Sequence, residues 1–147
     1  GTSRYWLRPA TDGDRVFLFA LHRDTHRSYV AETWGGWDEE LQANFFDDHF
    51  KLERRQILIV NGEDAGCLEV ERENSGIYLA LIEVAPAFQS RGIGTMIIND
   101  LLDEARAANV PVRLEVLRVN PARTLCERLG FAVTREDETH FFLEWSP

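Results

Sequence analysis

The feature that most constrains the fold is a glycine-bearing segment between an apolar strand pattern and an amphipathic helix pattern. Upstream, residues 77–84 run Ile-Tyr-Leu-Ala-Leu-Ile-Glu-Val, which is typical of a buried strand. Downstream, apolar residues recur at helical spacing at Ile93, Met96, Ile97, Leu101, Leu102 and Ala105. Residues 89–95, Gln-Ser-Arg-Gly-Ile-Gly-Thr, therefore predict a turn that opens a helix. Backbone N–H groups at the start of a helix lie at the positive end of its dipole and bind phosphate groups well.

The two glycines of this turn decide how closely a ligand can approach its backbone. A side chain at Gly92 or Gly94 would keep a phosphate away from the main chain, and Arg91 adds a flexible cation. The segment lacks the G-x-x-x-x-G-K-[ST] pattern of a Walker loop and the third glycine of the dinucleotide-binding pattern. The turn predicts a site for a phosphorylated cofactor. A nucleotide-phosphate site and an ordinary strand-to-helix turn are the alternatives.

Composition favours one compact globular domain. The chain has 147 residues, of which 44% are hydrophobic and 28% charged, so we predict a single domain over residues 1–147. Residues 1–3 lack an initiator Met, and one interpretation is a remnant added for expression. We find neither an apolar run near the ~20 residues of a membrane span nor a signal-peptide pattern. Cys67 and Cys126 form no metal or disulfide spacing, which predicts a cytoplasmic location.

The net charge of −9 is the wrong sign for a protein that binds a nucleic-acid backbone. We therefore predict neither a nucleic-acid nor a membrane partner, whereas an acidic surface favours a cationic amine. His22 and His26 share one face of a predicted helix. We interpret this as chance surface placement and predict no metal site.

The remaining patterns predict the element order β-α-α-β-β-β-α-β-α-β-β. Thr11 or Asp12 is a plausible cap for the first helix, Gly35 and Gly36 interrupt it, and a second helix starts at about Asp38. Residues 61–64, Asn-Gly-Glu-Asp, are a hairpin turn signal. The predicted strands and later helices cover residues 4–8, 56–61, 65–71, a strand ending at 84, 92–108, 112–117, 120–130, 131–134 and 139–145. This order predicts an α+β fold with a mixed sheet.

The turn also matches the Q/R-x-x-G-x-G/A signature of the GNAT superfamily of N-acetyltransferases. With the surrounding strands and helices and with residues 129–131, Leu-Gly-Phe, the chain resembles this family over residues 4 to 145. The resemblance implies a mostly antiparallel central sheet flanked by helices, with a splayed strand pair forming the cofactor cleft. It also implies acetyl-coenzyme A (acetyl-CoA) as co-substrate, a small-molecule or peptide amine as acceptor, and a homodimer as in many family members.

The resemblance assigns the cofactor contacts to three places. The turn would hold the pyrophosphate through its backbone, and main-chain groups around Glu83 would contact the pantetheine arm and the thioester oxygen. Asn120 would contact coenzyme A, although an Asn before Pro121 is also a good helix cap, and both roles can coexist. The implied cofactor-binding residues are Ile82, Val84, Gln89, Ser90, Arg91, Gly92, Ile93, Gly94, Thr95 and Asn120.

Three residues are candidates for catalysis. Glu115 lies five residues before Asn120, where members resembling ribosomal-protein alanine acetyltransferases carry a general base. The alternative is that Glu115 faces solvent, and Glu83 is a competing base at the other lip of the cleft. Cys126 stands where the family commonly has a tyrosine general acid. It is either a proton donor or, as we favour, a small buried hydrophobe.

The acceptor would meet an aromatic segment that follows the first strand. In the family this region forms one wall of the acceptor site, and here it offers Tyr29, Trp34 and Trp37 beside carboxylates. Such a mixture can receive a cationic amine, whereas the alternative is that the tryptophans cover the core. The resemblance implies an N-acetyltransferase in which a primary amine attacks directly in a ternary complex. The alternative is a catalytically degenerate acyl-CoA-binding sensor or interaction domain.

Overall fold

The computed structural model describes residues 4–36, 38 and 52–147. Within these residues the chain forms seven strands and three α-helices, joined in part by short 3-10 turns. The helix predicted from about Asp38 falls mainly on residues 39–51, which lie outside the described residues. The elements are β1 (Tyr5–Pro9), α1 (Arg15–Trp34), β2 (Gln56–Val60), β3 (Glu63–Glu73), β4 (Gly76–Val84), α2 (Ile93–Ala108), β5 (Val112–Leu117), α3 (Ala122–Arg128), β6 (Ala132–Glu136) and β7 (His140–Trp145).

The strands are hydrogen-bonded in the order β1-β2-β3-β4-β5-β7-β6. The pairs β1–β2, β2–β3, β5–β7 and β6–β7 are antiparallel, and β4–β5 is parallel. The prediction of an α+β fold with a mixed, mostly antiparallel sheet is therefore confirmed. No helix in the described part of the chain combines the length and apolar character that a membrane span needs.

The parallel pairing of β4 with β5 is short. Its register contains two pairs, Ile77–Val112 and Tyr78–Arg113, at the first residues of both strands. The antiparallel register of β5 with β7 runs over all six residues of β5. Residues 79–84 of β4 lie beyond these two pairs.

The chain divides into two compact units, each made of two segments. The first unit contains Gly1–Glu69 and Leu81–Ile93, and the second contains Val70–Ala80 and Gly94–Pro147. In the first, α1 packs on the β2–β3 hairpin through the buried residues Leu18, Leu21, Ile57 and Cys67. In the second, the buried residues include one face of α2 and alternate positions of β5 and β7: Ile97, Ile98, Leu101, Leu102, Ala105, Val112, Leu114, Phe141, Leu143 and Trp145. The single domain over residues 1–147 stays a prediction.

Two predicted chain reversals have the backbone conformation that their residues favour. Asn61 and Gly62, with φ of 52° and 79°, join β2 to β3 as a two-residue hairpin turn. Gly35, with φ of 88°, ends α1, and its N–H donates to the carbonyl of Ala31 at 2.8 Å. Both predictions are confirmed.

An ion pair ties β1 to the turn that leads into α1. The guanidinium of Arg8 donates two 2.9 Å hydrogen bonds to the carboxylate of Asp14, and the N–H of Thr11 donates a third at 2.8 Å. Asp14 is buried, but the hydrogen bond from Arg8 outweighs the effect of burial and lowers its pKa to about 2. Thr11 caps the 3-10 turn Asp12–Asp14, whereas the cap of α1 itself is Asp14 and not the predicted Thr11 or Asp12, because this turn comes between them and the helix.

Candidate functional site

The predicted phosphate-binding turn lies between the end of β4 and the start of α2. Ser90 and Gly92 have left-handed backbone conformations, with φ of 63° and 77°. Gly92 directly precedes the first helical residue, Ile93, and residues 90–92 are exposed. Backbone N–H groups at a helix start and in turns of this kind are the donors that bound anions use.

The glycines of the turn leave open space on its outer side. A Cβ atom placed on Gly92 or on Gly94 would meet no described atom within 4 Å. Internal packing therefore does not explain a glycine at either position, and only Gly92 needs one for its positive φ. The space that the two missing side chains leave is available to a ligand that contacts the backbone.

The turn is held in place by contacts within its own segment. The Nε2 atom of Gln89 donates to the carbonyl of Val84 at 2.9 Å, and the N–H of Phe88 donates to the carbonyl of Ala85 at 2.8 Å. The guanidinium of Arg91 lies 5.3 Å from the centre of the Phe88 ring. The side chain of Gln89 thus shapes the turn, while the cation of Arg91 lies at its exposed surface.

The strand that leads into the turn is pressed closely against β3. The N–H of Ala85 donates to the carbonyl of Ala65 at 2.7 Å. A Cβ on Gly66 would overlap the carbonyl oxygen of Glu83, so only glycine fits there without a shift of β4. This contact positions the main chain of Ile82, Glu83 and Val84, which the resemblance assigns to the pantetheine arm.

The side chain of Glu83 is fully buried and engaged by residues of α1. Its Oε2 atom lies 2.8 Å from Nδ1 of His22 and 2.7 Å from Nδ1 of His26, and the Thr25 hydroxyl donates to it at 3.2 Å. Burial would raise the pKa of Glu83, but the hydrogen bonds from the two histidines and their charges lower it to about 2. With an exposed fraction of 0%, this carboxylate does not contact a dissolved amine, and the structure gives no support to Glu83 as a direct base.

The sequence analysis does not predict this histidine–carboxylate cluster. The four-residue spacing of His22 and His26 is visible in the sequence, but we interpret it there as chance surface placement. Their shared partner lies 61 residues after His22 and belongs to a different element, so only the folded arrangement brings the three together.

The aromatic residues predicted to meet the acceptor lie along α1 and beyond it. The ring of Tyr29 packs edge-on against that of His26, with centroids 6.3 Å apart. Trp34 is the last residue of α1 and is 59% exposed. Trp37 lies outside the described residues. Tyr29 and Trp34 therefore remain predicted acceptor contacts.

In the second unit, Glu115 lies on the exposed face of β5. Its neighbour Leu114 is buried on the opposite face, and the hydroxyl of Tyr78 donates to Oε1 of Glu115 at 3.1 Å. The surroundings are therefore polar and open to solvent, as in the alternative given above. Glu115 is thus accessible to a solute, and its role as a base stays a prediction.

Asn120 lies just before α3, and Cys126 lies within it. Oδ1 of Asn120 accepts a 2.9 Å hydrogen bond from the N–H of Ala122, which confirms the capping role but leaves coenzyme A contact a prediction. Cys126 is 2% exposed, and burial raises the pKa of its thiol to about 11. The structure thus supports our favoured interpretation of Cys126 as a small buried hydrophobe, while its role as an acid remains untested.

Solved structures of N-acetyltransferases share this fold. The PaiA N-acetyltransferase of Thermoplasma acidophilum, determined in complex with coenzyme A, superposes with a TM-score of 0.76 at 16% identity, over 98% of this chain and 99% of that one. A GCN5-related N-acetyltransferase from Rhodopseudomonas palustris gives 0.72 at 18% identity, with coverage of 100% and 97%. The ribosomal-protein-S18-alanine N-acetyltransferase of Escherichia coli gives 0.66 at 21% identity, with coverage of 97% and 94%.

No curated protein matches the sequence significantly. The family model of the acetyltransferase (GNAT) family matches residues 16–131, from the start of α1 to the residue before β6. This range contains the turn, β4, β5 and α3, and it is well over half of the 147 residues. The chain therefore belongs to the acetyltransferase (GNAT) family.

Proposed function

We propose that this protein transfers an acetyl group from acetyl-CoA to a primary amine by direct attack in a ternary complex. The observation that carries the proposal is the exposed segment from Gln89 to Gly92, with left-handed residues and open space where β4 gives way to α2. Membership of the acetyltransferase family and the coenzyme A complex of the Thermoplasma neighbour support the same conclusion.

In this proposal the backbone of the turn holds the diphosphate, and Arg91 adds a cation at its edge. The main chain of residues 82–84 pairs with the pantetheine arm, and one of its N–H groups faces the thioester oxygen, where negative charge develops during attack. The close contact of Gly66 on β3 with the carbonyl of Glu83, which positions this main chain, supports the role. Oδ1 of Asn120 caps α3, and its amide nitrogen contacts coenzyme A.

Acetyl transfer also needs an acceptor for the proton that the amine loses. The amine nitrogen attacks the thioester carbonyl carbon, a C–N bond forms, the C–S bond breaks, and the thiolate leaves and takes a proton from water. We assign the base to Glu115, because it is exposed and oriented by the Tyr78 hydroxyl, whereas Glu83 is buried and engaged. Cys126 has no part in this scheme, since its thiol is buried.

The acceptor in this proposal is a small-molecule or peptide amine that carries positive charge. The net charge of −9, the exposed indole of Trp34 and the phenol of Tyr29 support a cationic ligand. We further propose that the protein acts in the cytoplasm, which its two free, buried thiols support, and that it forms a homodimer as many family members do.

A thiol-release assay tests the function. The protein is incubated with acetyl-CoA and a panel of polyamines, amino acids, aminoglycosides, lysine peptides and peptide N-termini, and free thiol is measured. We expect release that depends on at least one amine. Calorimetry with coenzyme A is the companion measurement: binding without turnover on any amine would indicate an acyl-CoA-binding domain, and equal competition by ATP would indicate a nucleotide-phosphate site. Absence of coenzyme A binding by folded protein would overturn the proposal.

A further inference from the structure

Within the first unit, donor atoms from one helix and one strand converge on a single point. His22 and His26 lie one helical turn apart on α1, and both direct Nδ1 toward Oε2 of Glu83 on β4, at 2.8 and 2.7 Å. The two imidazole rings stack with centroids 4.7 Å apart. One donor atom from each of the three residues lies within 4.8 Å of the others. Two imidazole nitrogens and a carboxylate oxygen are a donor set that Zn²⁺ takes in proteins.

An ion pair with the histidines does not satisfy the hydrogen-bonding capacity of the Glu83 carboxylate. Oε2 of Glu83 has contacts with both histidines and with the Thr25 hydroxyl, whereas Oε1 is buried without a hydrogen-bond partner among the described residues. A buried acceptor left without a partner lowers the stability of the folded state. A divalent cation provides that partner, because it can contact both carboxylate oxygens while it accepts a lone pair from each imidazole.

The two nitrogen–oxygen spacings are close to those of a filled site. Zinc–ligand distances of about 2.0–2.2 Å place neighbouring tetrahedral ligand atoms roughly 3.3 Å apart. The observed 2.7 and 2.8 Å separations must therefore widen by about half an ångström. His22 and His26 are 30% and 22% exposed, so rotation of the rings provides this room and an ion can enter from solvent.

We propose that His22, His26 and Glu83 form a binding site for a divalent transition metal ion of the Zn²⁺ type, with solvent completing the coordination. The ion would link α1 to β4 beside the main chain of Ile82 and Val84. The proposal does not rest on acetyl transfer, since neither the turn nor Glu115 is among the ligands, and the two can fail separately.

Cobalt binding tests the site directly, because Co²⁺ replaces Zn²⁺ and absorbs visible light when bound by nitrogen and oxygen ligands. Full-length protein without a histidine tag is stripped with a chelator and titrated with Co²⁺. We expect one equivalent to bind and Zn²⁺ to displace it. His22→Ala and His26→Ala should each weaken binding by about 100-fold or more, since loss of even an outer-shell partner costs 10–100-fold. Zn²⁺ should also raise the melting temperature of the unaltered protein but of neither variant.

His140→Ala is the matched control. His140 is also a part-exposed histidine near a carboxylate, with Nδ1 4.0 Å from Oδ1 of Asp137, and it should leave cobalt affinity unchanged. Glu83→Gln tests the third ligand, and if it does not fold, the two α1 variants decide the outcome after circular dichroism confirms their folding. Absence of cobalt absorption, or equal affinity in the unaltered protein, His22→Ala and His26→Ala, would overturn the proposal and leave a buried ion pair. Equal weakening by His140→Ala would overturn it as well.

Discussion

Each of the two units contains one carboxylate that the sequence suggests as a general base. The two carboxylates differ in their exposure to solvent and in their hydrogen-bond partners. Glu83, in the first unit, is fully buried and held by two imidazoles. Glu115, in the second, is exposed and accepts a hydrogen bond from a phenol. Burial and partners, rather than position near a motif, decide what each group can do. Glu83 is enclosed by protein groups, whereas Glu115 is open to solutes.

The largest expected effect tests the exposed member of this pair. Glu115→Gln should lower kcat by about 100- to 10,000-fold, because the amide cannot accept the proton of the amine. Coenzyme A affinity, measured by calorimetry, should stay unchanged. The control is Glu144→Gln, which removes a carboxylate opposite Arg113 in the β5–β7 register, and it should leave kcat near that of the unaltered protein. Equal rates for Glu115→Gln and the unaltered protein across pH would show that Glu115 is not the general base.

The next effect tests Gly92, the residue of the turn that directly precedes α2. Gly92→Asp should weaken coenzyme A binding by about 100-fold, or about 2.7 kcal/mol, because a carboxylate would face the diphosphate. Gly62→Asp is the matched control, since Gly62 has φ of 79° against 77° for Gly92 and similarly open surroundings. Backbone strain is thus common to both variants, and only the charge near the ligand differs. Equal affinity losses in calorimetry would contradict binding at the turn.

A second buried carboxylate in the first unit extends the comparison from reactivity to stability. The pKa of Asp14 is lowered from 3.8 to about 2, so its ionised form is favoured by folding. This contribution is complete above about pH 4 and is lost as the pH falls toward 2. Asp14→Asn should therefore lower the free energy of unfolding in urea at neutral pH by roughly 2 kcal/mol. Asp12→Asn is the control, because that carboxylate is 85% exposed; an equal loss in both variants would contradict the prediction.

The smallest expected effect concerns the thiols. Cys126→Ala should change kcat by less than tenfold, or about 1.4 kcal/mol, if the buried thiol takes no part in proton transfer. Cys67→Ala provides the comparison in the first unit, since burial also raises the pKa of Cys67 to about 11. A much lower kcat in Cys126→Ala alone, with normal circular dichroism, would show that Cys126 acts as the acid after all.

Local patterns predicted the elements well because their signals lie within a few residues. The limits of β5 at Val112 and Leu117 and the turn at Asn61 and Gly62 follow from alternation and backbone preference. The surroundings of the charged side chains cannot be predicted from local patterns, because residues distant in the sequence provide them. Glu83 lies near the end of an apolar run, and that run is the same whether or not histidines cover the carboxylate. The alternation in β5 does indicate that Glu115 faces solvent, but it does not show that the Tyr78 hydroxyl lies beside the carboxylate.

The overlap that any side chain at position 66 would have with the carbonyl of Glu83 makes β3 a template for β4. That carbonyl belongs to the same peptide plane as the N–H of Val84, so a methyl group at residue 66 would tilt both. In a library that diversifies residue 66, we therefore expect most variants to lose activity because the peptide between Glu83 and Val84 is displaced.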